Sequence, residues 1–344
     1  MRHFHLIGLS ILILTGCNQP PSKAILEEYG HRLMNVLDKP TIDFQHEDTP
    51  SLPGVRELSQ NTTTFKISLL EAISFRTCGL DQLIGEKNSS LGKVYTPSQR
   101  FIYEASFIQA ATQCLNVYPP ADKKYQLLHP IVEKKKQEIH LHFQNMMLTD
   151  KGLYHLWFSG MNEIQPGKEA GADRSLWVDS MMFFIEQSKA IEKGKIQHIS
   201  IHTIEQQISN MSHSAFLPSL MTSLRKSAHI LHQINQSLIQ HKEIAYCRKG
   251  QKPRKHQLYL QNVFRKFYIG QVQPYLAQLD RLSYMTHPYI EAVYMQAGIP
   301  EPFQDYVRNI FIHPDSHERK LRQEAKKHVT WWQGFFQSCN LTPI

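Results

Sequence analysis

The pattern of apolar and polar residues along the chain is that of an α-helical protein. After residue 215, four leucines recur every seven residues with other apolar residues between them, which predicts a helix of about thirty residues. These leucines are Leu217, Leu224, Leu231 and Leu238. Four repeats are the shortest run that supports an intermolecular coiled coil. We therefore expect this helix to pack antiparallel to another helix inside a bundle.

Two capping signals predict a helical hairpin in the N-terminal third of the chain. Ser68 and Glu71 have the spacing of a capping box, and the helix that they open is predicted to continue through residue 84. The segment Thr96–Gln99 opens a second helix, with a proline at its first position. The turn between the two helices is predicted at Asn88–Gly92.

Other periodic segments are also helical, and turn residues separate them. Helices are expected at residues 22–37, 130–148, 173–192 and 317–339. The run Lys134–Lys136 is predicted to lie on the solvent face of its helix, and Gln273-Pro274 to interrupt a later helix. Residues 38–64 contain three prolines and are expected to lie across the fold as an irregular segment. Residues 198–211 are compatible with either a strand or a helix.

The first seventeen residues have the features of an exported lipoprotein. Arg2 precedes an apolar run at residues 6–14, which is too short to span a bilayer, and a small residue stands directly before Cys17. Cys17 would then be the lipidated, palmitate-bearing N-terminus of the processed chain. We predict three parts: a lipoprotein signal peptide at residues 1–16, a tether at residues 17–24 and a single helical domain at residues 25–344.

Composition and charge agree with a folded protein of the cell envelope. Of the 344 residues, 41% are hydrophobic and 20% are charged, so a sizeable core can form. An aspartate after a lipidated cysteine commonly retains a lipoprotein in the inner membrane. Residue 18 is asparagine, so we predict the periplasmic face of the outer membrane. The net charge of +8 favours anionic partners such as lipid head groups, although solvated surface charge accounts for it more simply.

The cysteines predict covalent crosslinks. Once Cys17 carries lipid, four of the five cysteines are left, and an even number in an exported protein indicates two disulfides with three possible pairings. We favour Cys78–Cys114, which is local, and Cys247–Cys339, which would tie a basic loop to the last helix. The two hairpin cysteines differ by about 10 Å in axial level at helical rise, so this pairing requires an irregular turn or a steep crossing. Buried free thiols are the alternative. The predicted fold is thus an all-α, multi-helix bundle with a helical hairpin, stapled by two disulfides.

Spacings typical of catalytic or metal sites do not occur in the sequence. It contains no nucleophile elbow, no HExxH zinc motif and no paired CxxC. His198 and His202 would share a face with Glu205 on a helix, but a zinc site needs three or four ligands. We therefore expect no catalytic residue, no metal site and no cofactor.

Two groups of polar residues are candidate binding sites. The first is the basic loop, residues 247–256, whose cations could contact lipid phosphate or an acidic protein surface. These cations are Arg248, Lys249, Lys252, Arg254 and Lys255. The second is the hairpin cluster, which surrounds the predicted turn and consists of Glu86, Asn88, Ser89, Arg100 and Glu104. Turn hydrogen bonds, together with an ion pair between Arg100 and Glu104, would also explain this cluster.

Several stretches of the sequence resemble those of a known family. They are Cys78-Gly-Leu-Asp-Gln-Leu-Ile84, Asn88-Ser-Ser-Leu-Gly92, Pro97-Ser-Gln-Arg-Phe-Ile-Tyr-Glu104, Gln271-Val-Gln-Pro-Tyr-Leu276 and His328-Val-Thr-Trp-Trp-Gln333 with Cys339. The family that they resemble consists of proteobacterial lipoproteins and is classified as domain of unknown function 3080. The resemblance covers nearly the whole processed chain and implies one domain, a lipid anchor and four structural cysteines. It implies no activity, cofactor or catalytic residue. Where the family more often has a glycine, this chain has Asn340.

Two functions are compatible with these features. The first is a non-catalytic envelope lipoprotein, anchored through Cys17, that binds another envelope protein or an anionic lipid or glycan. Nucleic acid is not expected as a partner of an exported protein. The alternative is a periplasmic envelope-remodelling hydrolase whose site is assembled only in the fold, with Glu86 and Glu104 as its first carboxylates. A deep pocket with convergent titratable groups would favour the hydrolase.

Overall fold

The computed structural model describes residues 20–158, 160, 162–168 and 171–343. All regular structure in these residues is helical, and they contain no β-strand, so the predicted all-α fold with two disulfides is confirmed. The predicted signal peptide and Cys17 lie outside the described residues.

The bounds of the helices set the frame for the candidate sites. The α-helices are α1 (Glu28–Val36), α2 (Val55–Leu58), α3 (Leu69–Ser74), α4 (Leu80–Asn88), α5 (Pro97–Leu115), α6 (Lys123–Thr149), α7 (Lys151–Tyr154), α8 (Gly171–Glu192), α9 (Ile204–His213), α10 (Phe216–Gln240), α11 (Lys242–Ala245), α12 (Lys255–Val263), α13 (Gln273–Tyr294), α14 (Glu301–Val307) and α15 (His317–Cys339). Segments of π-helix span Ser22–Glu27, Phe264–Val272 and Arg308–Ile312. Turns of 3-10 helix span Arg76–Cys78, Gly92–Val94, His155–Trp157, Ile196–His198 and Ile201–Thr203.

The helical hairpin forms, but its first arm is not continuous. Ser68 Oγ accepts a hydrogen bond from the Glu71 amide, and the Glu71 carboxylate accepts one from the Ser68 amide, so the predicted capping box is present. The prediction of one helix through residue 84 is wrong, because Gly79 has φ +73° and separates α3 from α4. This break absorbs the expected axial mismatch and brings the Cα atoms of Cys78 and Cys114 to 5.4 Å.

Two prolines that were expected to limit helices lie inside helical segments. Helix α6 begins at Lys123, seven residues before the predicted start, because Asp122 Oδ1 accepts a hydrogen bond from the Lys124 amide and caps the helix. Pro130 lies in its interior. The predicted interruption at Pro274 is also wrong. The π-helical segment Phe264–Val272 runs directly into α13, and its wider turns accommodate a residue that has no N–H to donate.

Residues 38–64 lie across the fold as predicted. The Gln45 amide donates to Gln233 Oε1 at 2.9 Å, which fixes the first half against α10. The Thr63 amide donates to Glu138 Oε2 at 2.8 Å, which fixes the second half against α6. The ambiguous stretch at residues 198–211 is helical, with turns of 3-10 helix leading into α9.

The heptad helix α10 packs inside its own chain, against α15, and all four heptad leucines are buried. The predicted antiparallel arrangement is wrong, and the two helices are parallel. Residues further along α10 contact residues further along α15. Asn235 Oδ1 is 2.7 Å from His328 Nδ1, and Trp331 Nε1 donates to the carbonyl of Leu238 at 3.1 Å. The long connection between the two helices, residues 241–316, allows the chain to return and enter α15 in the parallel direction.

Buried side chains form two separate apolar clusters, a main core and a smaller one beneath the hairpin. We call the smaller one the hairpin core; it includes Phe75, Leu80, Ile84, Phe107 and Val132. Helices α5 and α6 contribute to both clusters, whereas no residue between Leu58 and Phe101 belongs to the main core. The buried apolar side chains of residues 61–95 therefore pack only in the hairpin core.

The N-terminal helix lies antiparallel to α12 and the π-helical segment after it. The ring centroids of Tyr29 and Tyr268 are 5.9 Å apart, and Arg32 Cζ lies 5.4 Å from the centre of the Phe267 ring. The start of the described chain is therefore at the Gly270 end of this element, and Lys255 is at the other end. Fifteen residues of helix separate these two ends by about 20 Å.

Candidate functional site

The basic loop is held at its base by a disulfide and two hydrogen bonds. The Cys247–Cys339 disulfide has a Cα–Cα distance of 4.8 Å and joins the loop to the end of α15. The amide of Cys247 donates to Ser338 Oγ at 3.3 Å, and the hydroxyl of Tyr246 donates to the carbonyl of Trp331 at 2.7 Å. The predicted pairing of these cysteines is confirmed, and so is the pairing of Cys78 with Cys114.

All five predicted cations of the basic loop are exposed. Four of them lie in the irregular part of the loop, and Lys255 is the first residue of α12. No acidic side chain of the described residues lies within salt-bridge distance of any of the five. A group of like charges without counter-charges creates a local positive potential that attracts anions.

The predicted hairpin cluster divides into turn residues and pocket residues. Ser89 Oγ donates to the carbonyl of Glu86 at 2.6 Å and accepts from the amide of Gly92 at 3.2 Å, which is ordinary turn chemistry. The carboxylate of Glu86 accepts from the hydroxyl of Tyr95 at 3.0 Å, and Glu86 does not line the pocket that contains Glu104. The two carboxylates proposed for a hydrolase therefore do not meet in that pocket.

Asn88, Arg100 and Glu104 line a small pocket, which we call the hairpin pocket. It lies between α4, α5 and α6, and residues 62–67 cross over it. Its free volume is about 50 Å³, which suits one small polar group rather than an extended ligand. The residues that also line it and that the sequence analysis did not single out include Lys87, Lys135 and His142.

A buried ion pair forms one wall of the hairpin pocket. Lys135 Nζ donates to Glu104 Oε2, and the two residues are only 9% and 5% exposed. Two predictions are corrected by this contact. Lys135 does not lie on the solvent face of α6, and Glu104 pairs with Lys135 instead of with Arg100. Lys135 follows Val132 by three residues, so the two side chains lie on the same, buried face of α6. The ammonium of Lys135 also lies 5.0 Å from the centre of the Phe107 ring.

The other cationic groups of the hairpin pocket have few partners. Lys87 Nζ donates to the carbonyl of Gly92 at 2.7 Å, and its pKa is lowered by burial and by the charge of Arg100. Arg100 is half-buried, and no described acidic side chain lies within salt-bridge distance of it. His142 is 4% exposed, and its Nδ1 has no hydrogen-bond partner among the described residues. Burial first, and then the charges of Lys135 and Arg100, lower the pKa of His142.

A larger groove among the described residues is of a different kind. It runs between α13 and α15, has a volume of about 480 Å³ and is lined mainly by apolar side chains and stems such as Leu276, Leu321 and Val329.

His198 and His202 lie in two separate turns of 3-10 helix, and within the described residues no three His, Cys, Asp or Glu side chains gather as a metal site would require. None of the described helices is long and apolar enough to cross a membrane.

These features define an all-α protein with two disulfides, an exposed cationic loop and a small polar pocket. Comparison with known families assigns the chain more closely. It belongs to a family described as "Protein of unknown function (DUF3080)", whose model matches residues 26–343. No curated protein and no solved structure was found to match the chain.

Proposed function

We propose that this protein is a non-catalytic envelope lipoprotein that is anchored through Cys17 at the periplasmic face of the outer membrane. In this proposal the basic loop binds an acidic surface on another envelope component. The observation that supports it most directly is the group of five exposed cations without acidic partners, on a loop whose base is fixed by the Cys247–Cys339 disulfide. A fixed base reduces the conformational entropy that the loop would lose on binding.

The start of the described chain and the basic loop lie at opposite ends of one helical element, and this supports a membrane anchor at one end and a binding surface at the other. The described chain begins at Pro20, three residues after Cys17, and three residues span about 10 Å at most. A lipid on Cys17 would therefore hold the Gly270 end of the π-helical segment close to the bilayer. Lys255 lies about 20 Å away along the same element. If the axis of α12 and the π-helical segment is perpendicular to the membrane, the basic loop faces away from the anchoring leaflet and is accessible to a partner.

The hairpin pocket gives the hydrolase alternative little support. General acid–base hydrolysis of a glycoside needs two carboxylates, and Glu104 is the one carboxylate among the described residues that line this pocket. The Glu104 carboxylate is already engaged by Lys135. The pocket is also too small for a polymeric envelope substrate.

In-cell crosslinking of the full-length protein in intact envelopes, followed by mass spectrometry, tests the binding proposal. One variant carries K249E, K252E and K255E in the basic loop. The matched control carries K189E, K193E and K195E, which change the net charge equally on another exposed part of the chain. The three lysines of the control are Lys189, Lys193 and Lys195, at and just after the end of α8. We expect the loop variant to lose a discrete crosslinked partner that the wild type and the control retain.

Two results would contradict the proposal. An unchanged set of crosslinked partners in the loop variant would remove the basic loop as the binding surface. Recovery of the C17S variant in the membrane fraction to the same extent as the wild type, together with absent palmitate labelling of the wild type, would remove the lipid anchor. These two measurements separate the anchor from the binding surface.

A further inference from the structure

The hairpin pocket contains more positive charge than its own residues neutralise. Three cations line it, Lys87, Arg100 and Lys135, and Glu104 is the one acid among the described residues that do so. Lys135 is paired with Glu104, whereas no acidic side chain of the described residues lies within salt-bridge distance of Lys87 or Arg100, both of which are half-buried. Neighbouring positive charges that their surroundings do not neutralise attract anions.

We propose that the hairpin pocket binds a small oxyanion, namely the phosphate or carboxylate group of a ligand. This site is separate from the basic loop and does not depend on the function proposed above. The Arg100 guanidinium offers a planar fork of N–H donors that matches an oxyanion in geometry. His142 provides a second donor, because its buried Nδ1 has no partner among the described residues and can carry a proton.

The surroundings of the pocket strengthen such contacts. The aromatic ring of Tyr103 and the apolar side chain of Ile84 are part of the lining, and residues 62–67 cover it. Charge-assisted hydrogen bonds are stronger in a desolvated site than at the surface. The free volume of about 50 Å³ admits one small charged group, so the remainder of a larger ligand would extend to solvent past Asn88, which is exposed.

The protonation of His142 provides a direct measure of binding. Burial, and to a smaller extent the charges of Lys135 and Arg100, lower its pKa, while Glu104 and Glu138 act in the opposite direction. A bound anion adds a negative charge near the imidazole and therefore raises the pKa of His142. Histidine resonances of the wild-type protein, assigned by comparison with the H142Q spectrum, would report this change without any variant of the cationic residues.

The test is a titration of the processed full-length chain with inorganic phosphate and with acetate, followed by calorimetry and histidine NMR. We expect saturable binding of at least one of them and an increase in the pKa of His142. The R100Q variant should bind roughly ten- to a hundredfold more weakly, since one charge-assisted contact is lost. The R76Q variant is the matched control, because Arg76 lies in the same hairpin with a 76% exposed side chain and outside the pocket. If R100Q does not fold, K87Q replaces it.

Each outcome decides the proposal. Binding of neither anion, or binding that R100Q and K87Q both retain at full affinity, overturns it. Where binding is present, vesicles containing phosphatidylglycerol distinguish the source of the anion. Displacement of phosphate by these vesicles indicates a lipid head group, and the absence of displacement indicates a soluble anion.

Discussion

The Cys247–Cys339 disulfide offers the sharpest test of how the fold is stabilised. Its two cysteines are 92 residues apart, and in the chain-entropy model a loop of this size stabilises the folded state by about 4.6 kcal/mol. The Cys78–Cys114 disulfide closes a 36-residue loop and is expected to contribute about 3.8 kcal/mol. Double replacement of each pair by alanine removes the crosslink without leaving a buried hydroxyl that has no partner.

Guanidinium unfolding of the oxidised wild type and the two double variants measures these contributions. The C247A/C339A variant should lose more free energy of unfolding than C78A/C114A, and its m-value should rise because the unfolded chain exposes more surface. Reduced wild type serves as the control for the loss of sulfur atoms. An oxidised wild type no more stable than C247A/C339A, with an unchanged m-value, would refute the view that this crosslink restricts the unfolded chain.

Three further predictions concern single side chains. The E104Q variant should lose about 3–5 kcal/mol of stability in urea unfolding because Lys135 is left buried without its partner, and the E104Q/K135M double variant should recover most of this loss. Burial lowers the pKa of His328 to about 3 from 6.5, so the neutral side chain stabilises the protein above pH 6.5 and this contribution is lost as the pH falls. H328Q should therefore flatten the fall in melting temperature below that pH, and an equal fall in both proteins would contradict the assignment. Asn340 has φ +49°, so N340A should cost about 1 kcal/mol in thermal unfolding while N340G should be nearly neutral, and equal effects of the two would disprove the conformational explanation.

The sequence was most informative where a local signal determines local structure. The capping residues Ser68 and Thr96 begin helices as predicted, because their hydrogen bonds involve residues only three positions away. The favoured disulfide pairing was one of three possible, and it rested on the short separation of Cys78 and Cys114 along the chain. The break at Gly79 was missed because a single glycine does not show from sequence whether it adopts a positive φ.

The candidate site was predicted only in part, since its key contact is made between distant helices. Lys135 lies in a run of three lysines, and its neighbours Lys134 and Lys136 do pair with glutamates on the exposed surface. The signal that could have identified the buried pair was Glu104, an acid between the apolar positions Phe101 and Ile108 of α5. A carboxylate on a buried face requires a partner, and the partner comes from α6, which the sequence does not place beside it.

The division of the apolar side chains into two clusters has a consequence for native-state opening. The buried apolar side chains of residues 61–95 contribute only to the hairpin core, and the segment is joined to α5 by the Cys78–Cys114 disulfide. Such a segment can detach while the main core stays intact, so its amide hydrogens should exchange with solvent at a lower opening free energy than those of α10 and α15. The hairpin pocket lies where this segment meets α6. An anion that binds there would slow amide exchange across residues 61–95 and leave exchange in the main core unchanged.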